Sequence, residues 1–166
     1  SAFSVAAEEV PTHQFEGFED DLNAYNTNTV FKRYESTGEA DENVHSGSYS
    51  LYNSGENTSF KPWYLNSGLK VEAGKRYAVS FWYKGGNPSS HSIGVSLFNG
   101  QSANYTFAGT QNGEGKYFSK IFTATEDNVK SYFGIMAYEN AELYFDDICV
   151  DEVSSSYYSE NFENGF

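Results

Sequence analysis

The stretch Tyr77-Ala78-Val79-Ser80-Phe81-Trp82-Tyr83-Lys84 decides the fold, because it alternates without a break. Tyr77, Val79, Phe81 and Tyr83 fall on one face of an extended chain, and Ala78, Ser80, Trp82 and Lys84 on the other, the period of two that a half-buried β-strand requires. The first face reads as core. Residues 131–138 split the same way, with Phe133, Ile135 and Ala137 on one side and Tyr132, Gly134, Met136 and Tyr138 opposite. Turn signals such as Ser46-Gly47, Asn53-Ser54-Gly55, Asn66-Ser67-Gly68, Asn99-Gly100 and Asn112-Gly113 recur about every ten residues, the rhythm of an antiparallel sandwich or barrel. Strands are expected near residues 13–18, 29–35, 48–53, 58–64, 68–72, 76–84, 92–98, 103–108, 116–123, 131–138 and 142–150. No amphipathic helical pattern competes with them.

Composition agrees. The 166 residues suit one domain, and the 14 Tyr and 14 Phe favour strands over helices. No apolar run approaches the roughly 18 residues of a membrane span, so membrane insertion is not expected. A formal charge of −13 repels nucleic acid, anionic membranes and acidic polysaccharides, which leaves a neutral ligand or a cation as the natural partner. The single cysteine, Cys149, excludes an intrachain disulfide and reads as a buried small hydrophobe.

Residues 1–7 look like the remnant of a signal peptide, with Val5 and Ala7 in the small-residue spacing of a cleavage site, and point to a secreted or cell-surface protein. A flexible leader is the alternative. The body of the domain is expected over 8–153, and Val153-Ser154-Ser155-Ser156 reads as a short linker. Asn161-Phe162-Glu163 echoes Gln14-Phe15-Glu16, so 154–166 reads as linker and the start of a second, covalently linked module; a chance match is the alternative.

Four landmarks in order resemble the carbohydrate-binding modules of families four, nine, sixteen and twenty-two: Phe15-Glu16, His45-Ser-Gly-Ser-Tyr-Ser-Leu51, Ala73 to Lys84, and Leu143-Tyr-Phe-Asp-Asp-Ile-Cys-Val150. Together they span nearly all of 13–152. The chain departs from the pattern at Tyr117-Phe118, where those modules often carry Trp, and in the loops near 20–30 and 85–92. The resemblance implies an all-β, two-sheet antiparallel jelly-roll sandwich that binds a glycan on a concave sheet without catalysis. It also implies a structural calcium ion shared by Glu16, the loop from Asn43 to Ser48, and Asp146, with Asp147 and Glu19 as further candidate ligands. Calcium takes six to eight oxygens from distant parts of a chain, and two successive Asp in a strand need a partner for at least one carboxylate.

Sugars lay their C–H faces on aromatic rings and pair their hydroxyls with polar side chains. Trp63, held after Pro62 and beside Tyr64, offers such a ring, with packing into the core as the rival reading. Trp82 lies on the non-core parity of the strongest strand next to Lys84, with packing under a loop as its rival. Tyr132, Tyr138 and Tyr105, the last beside Asn104, are further candidates. The compatible ligands are neutral polysaccharides or oligosaccharides: glucans, starch-like or β-linked, and xylan.

Two other functions compete. A glycoside hydrolase needs two acids across a cleft, and 23 acidic residues make some pair inevitable; no Gly-x-Ser-x-Gly elbow and no metal-protease spacing of His13, His45 and His91 occurs. An adhesion or structural module binding protein would have the same sandwich without exposed aromatics on its concave face.

Overall fold

The computed structural model describes residues 2, 4, 13–20, 31–53, 61–64, 69–85, 92–97, 105–108, 110, 114–125, 127–131, 133–137 and 142–153. It is an antiparallel β-sandwich whose described strands fall into a six-stranded, a four-stranded and a two-stranded sheet, and no described residue is helical. Twelve strands are described: β1 (His13–Glu16), β2 (Phe31–Glu35), β3 (Tyr49–Asn53), β4 (Lys61–Tyr64), β5 (Leu69–Val71), β6 (Arg76–Gly85), β7 (Ser92–Leu97), β8 (Tyr105–Ala108), β9 (Lys116–Thr123), β10 (Asn128–Ser131), β11 (Phe133–Ala137) and β12 (Leu143–Val153). Eleven were expected. The addition is β10, whose short polar sequence Asn-Val-Lys-Ser carries no alternation; it is made a strand by pairing with β5.

The larger sheet runs β2-β3-β12-β6-β9, with β1 also paired to β12; the second runs β4-β11-β7-β8. β6 and β12 are the central pair of the larger sheet, in register from Leu143↔Gly85 to Val153↔Arg76. The predicted core face of β6 is observed: Tyr77, Val79, Phe81 and Tyr83 are buried. The Phe81 ring stacks on Phe118 of β9 at 4.9 Å and meets Phe145 of β12 edge-on at 5.8 Å, geometries that suit the aromatic quadrupole.

One irregularity shapes the rest. Between the pairs Asp146↔Trp82 and Cys149↔Ser80, β12 advances three residues while β6 advances two, so β12 carries a bulge. Asp147 takes the left-handed backbone conformation there, with φ 50°. A bulge inserts one residue and so reverses the side-chain parity beyond it. Leu143 and Phe145 face the core before the bulge, and Ile148 and Val150 face it afterwards. Cys149 is thereby turned to the outer face and half-buried, which corrects the expectation of a core residue.

Candidate functional site

The bulge gathers Asp146 and Asp147 beneath the loop that precedes β3. Asp146 is fully buried, and its Oδ2 accepts hydrogen bonds from the backbone N–H of His45 at 2.9 Å and Ser46 at 3.0 Å. Its Oδ1 accepts from the N–H of Asp147 at 2.8 Å. Burial, aided by the neighbouring Asp147 charge, pushes the Asp146 carboxyl up to about 6 although these amides pull it down. Asp147 accepts from Ser46 Oγ at 2.5 Å and from His45 Nδ1 at 2.6 Å. The other His45 nitrogen, Nε2, accepts from the Tyr117 hydroxyl, since a neutral imidazole has one donor and one acceptor. An unbroken strand would set these two carboxylates on opposite sides of the sheet, whereas at the bulge both serve the same loop.

That loop also covers Trp82. The His45 ring stacks on the indole at 5.6 Å and 27°, and a Cβ on Gly115 would stand 2.1 Å from the indole nitrogen, so two segments close over it. Trp82 keeps 6% of its surface, so of its two readings, exposed platform and packing under a loop, the structure has the second. Lys84, expected to face ligand, instead donates from Nζ to Asn43 Oδ1 at 2.8 Å, with Glu42 at 3.9 Å, and ties the same loop to β6. An exposed aromatic beside this roof is Tyr117, at 65%. It sits directly across from Trp82 on β9, a position the period-two pattern of residues 116–123 marks as outward.

The other candidate metal ligands divide. Glu19 accepts from the amides of Ser48 at 3.0 Å and Tyr49 at 3.1 Å, and packs so closely that a Cβ on Gly47, at φ 65°, would lie 2.3 Å from its Oε1. Gly17 brings the opening segment near Asp147, whose Oδ1 lies 3.7 Å from where its Cβ would stand. Segments 17–19, 45–48 and 146–147 therefore meet. Glu16 lies opposite core-facing Ile148, and burial raises its carboxyl above the ordinary range, against the Phe18 amide that it accepts at 2.8 Å. Both oxygens of Asn43 are occupied, by Lys84 and by the Ser50 hydroxyl. The donor chemistry of the meeting point fits a hard cation: carboxylate and hydroxyl oxygens around a fully buried Asp146 whose described hydrogen-bond partners are amides.

The aromatic candidates of the second sheet are sorted by register. Trp63, Ile135, Val95 and Tyr105 form one row across β4, β11, β7 and β8. Tyr64, Gly134 and Ser96 form the next row, so Trp63 and Tyr64, expected at one site, pair in adjacent rows of the sheet. Tyr132, Tyr138 and Asn104 lie outside the described residues.

Residues 10–139 match the family model described as carbohydrate binding domain. Among solved structures, the xylan-binding family 22 module of a Paenibacillus barcinonensis protein, Xyn10C, is 13% identical, with a TM-score of 0.58 over 90% of this chain and 99% of that one. The C-terminal family 6 module of a marine laminarinase from Zobellia galactanivorans gives 0.54 at 10% identity, over 84% and 99%. A family 35 carbohydrate-binding module from Clostridium thermocellum gives 0.51 at 14%, over 84% and 97%. At these identities the likeness is one of fold. No curated protein matches the chain.

Proposed function

This chain belongs to the family of carbohydrate-binding domains, and from that membership we propose that it is a secreted or cell-surface module that tethers a larger protein to a neutral glucan or xylan without acting on it. The observation that carries the reading is the match of residues 10–139, from β1 through β11, to the carbohydrate-binding domain family. A charge of −13 suits a neutral chain and opposes an acidic one. Two or three ring contacts worth about 0.5–1.5 kcal/mol each beyond area burial correspond to micromolar to millimolar binding, which modules of this kind raise by avidity through linked neighbours.

Affinity electrophoresis against β-glucan, starch, xylan and pectin tests the proposal. The chain is expected to be retarded by at least one neutral polysaccharide and not by pectin, and Trp63→Ala or Tyr64→Ala to weaken that retardation. Unretarded migration on every gel would instead favour an adhesion module that recognises protein.

Calcium is part of the same proposal. Asp146, Asp147 and Glu19, with Glu16 at the edge, are the residues that would hold it, and the ion would supply the positive charge that buried Asp146 lacks among its described partners. At a free concentration about 100 times its dissociation constant it would stabilise the fold by about 2.7 kcal/mol. Chelation of stripped and reloaded protein is expected to lower Tm, and Asp146→Asn to remove that sensitivity; equal Tm with and without calcium would refute the site.

A further inference from the structure

The parity reversal at the bulge has a second consequence, at the other end of β12. Cys149 and Asp151 come to stand two residues apart on its outer face, and β1 lies alongside with His13 directly opposite Asp151. Both strands are held by antiparallel pairing, so the three side chains issue from fixed positions on one surface. His13 Nδ1 meets Asp151 Oδ1, and Cys149 Sγ donates to Asp151 Oδ2 at 3.1 Å. The three donor atoms lie within 4.8 Å of one another, the one such group among the described residues.

We infer that His13, Cys149 and Asp151 form a binding site for a zinc-type divalent ion, distinct from the oxygen-donor site at the bulge and independent of the sugar reading. One nitrogen, one sulfur and one oxygen are the donors of tetrahedral zinc sites, at about 2.0–2.3 Å from the metal, and a ring of such radius needs donors separated by little more than the distances seen here. Calcium avoids sulfur and nitrogen, so the two ends of β12 select different metals. Three protein ligands leave one position for water. Solvent reaches the cluster, since the His13 and Asp151 side chains are 65% and 49% exposed. Without metal the thiol, pushed up to about 12 by burial and then by Asp151, keeps its proton and shares it with that carboxylate. The ion takes the proton's place, releases it to solvent, and cross-links β1 to the central strand.

Cobalt(II) serves as a visible substitute for zinc. Titrating the metal-stripped chain with cobalt is expected to produce a thiolate-to-cobalt absorption that saturates at one equivalent and is displaced by zinc. Cys149→Ser is expected to abolish that absorption, and His13→Ala and Asp151→Asn to weaken binding by about 10–100-fold or more. Asp146→Asn, at the other site, is expected to leave it unchanged. A second measurement needs no variant: zinc should protect Cys149 of the natural chain from a maleimide, read by mass spectrometry. Absence of the thiolate band, its persistence in Cys149→Ser, or maleimide labelling at the same rate with and without zinc would overturn the inference.

Discussion

The two halves of β12 share a strand, a sheet and a neighbour in β6, yet their outer surfaces differ completely. Before the bulge, Asp146 and its cross-strand partner Trp82 are sealed under the loop that carries His45. After it, Cys149 and Asp151 look out past His13 and the exposed ring of Phe15. Inward the halves are alike, because the inserted residue keeps Leu143, Phe145, Ile148 and Val150 all on the core side. The contrast teaches that strand parity decides which residues leave the core, whereas a distant loop decides which of those are exposed.

Removing the bulge breaks the comparison most severely. Deleting Asp147 would turn Ile148 and Val150 outward and drive Cys149 and Asp151 inward. Each apolar side chain would forfeit about 1.5–3 kcal/mol of burial, and charge would enter the core. The deletion variant is expected not to fold, seen as loss of the strand signal in circular dichroism; a cooperative melt would show that β12 can re-register.

Next come two single truncations on opposite faces. Phe145→Ala in the core and Trp82→Ala beneath the roof are each expected to cost about 3–5 kcal/mol in urea unfolding, because both rings are buried. A cost below about 1 kcal/mol for Trp82 would mean that the roof does not cover it.

The roof itself is anchored by Asp41, which accepts from the Thr37 amide at 2.9 Å, the Asn43 amide at 2.9 Å and the Tyr34 hydroxyl at 2.7 Å. The Thr37 amide first, with the Asn43 amide and the Tyr34 and Thr37 hydroxyls, holds its carboxyl down at about 2, below the ordinary value of 3.8. A carboxyl depressed in the folded state stabilises above its unfolded pKa and loses that contribution as pH falls through the folded one. Asp41→Asn is therefore expected to cost about 1–2 kcal/mol at pH 7, after allowing for solvent screening, and to converge with the natural chain as pH drops from about 4 to about 2. Parallel stability curves over that interval would count against the anchor. The smallest effect belongs to the open half: Ile121→Ser, on the outward side of β9 and 47% exposed, is expected to change stability by no more than about 0.5 kcal/mol.

Much of this contrast is foreshadowed in the chain itself. The alternation of 77–84 names the buried face of β6, and Asp146-Asp147 inside an apolar run marks an irregular strand even before its bulge is seen. The second sheet is legible as short segments, but not its pairing, because the order in which distant strands align leaves no local signal. β10 was missed because four residues with a single apolar side chain, Val129, hold no periodic signal. His45 was missed as a partner of Asp147, and Tyr117 as a partner of His45, because 102 and 72 residues separate the two pairs and nothing local couples them.

The sequence alone determined the all-β class, the inward faces of the clearest strands and the acidity that favours a neutral ligand. These follow from side-chain period, composition and charge, all of which are local or summed properties. The roof over Trp82, the diversion of Lys84 to Asn43, the outward turn of Cys149 and its meeting with His13 were decided only by the tertiary structure. Each depends on one inserted residue or on two strands brought together from opposite ends of the chain, and a period-two pattern carries no information about which distant strand, or which loop, will lie against it.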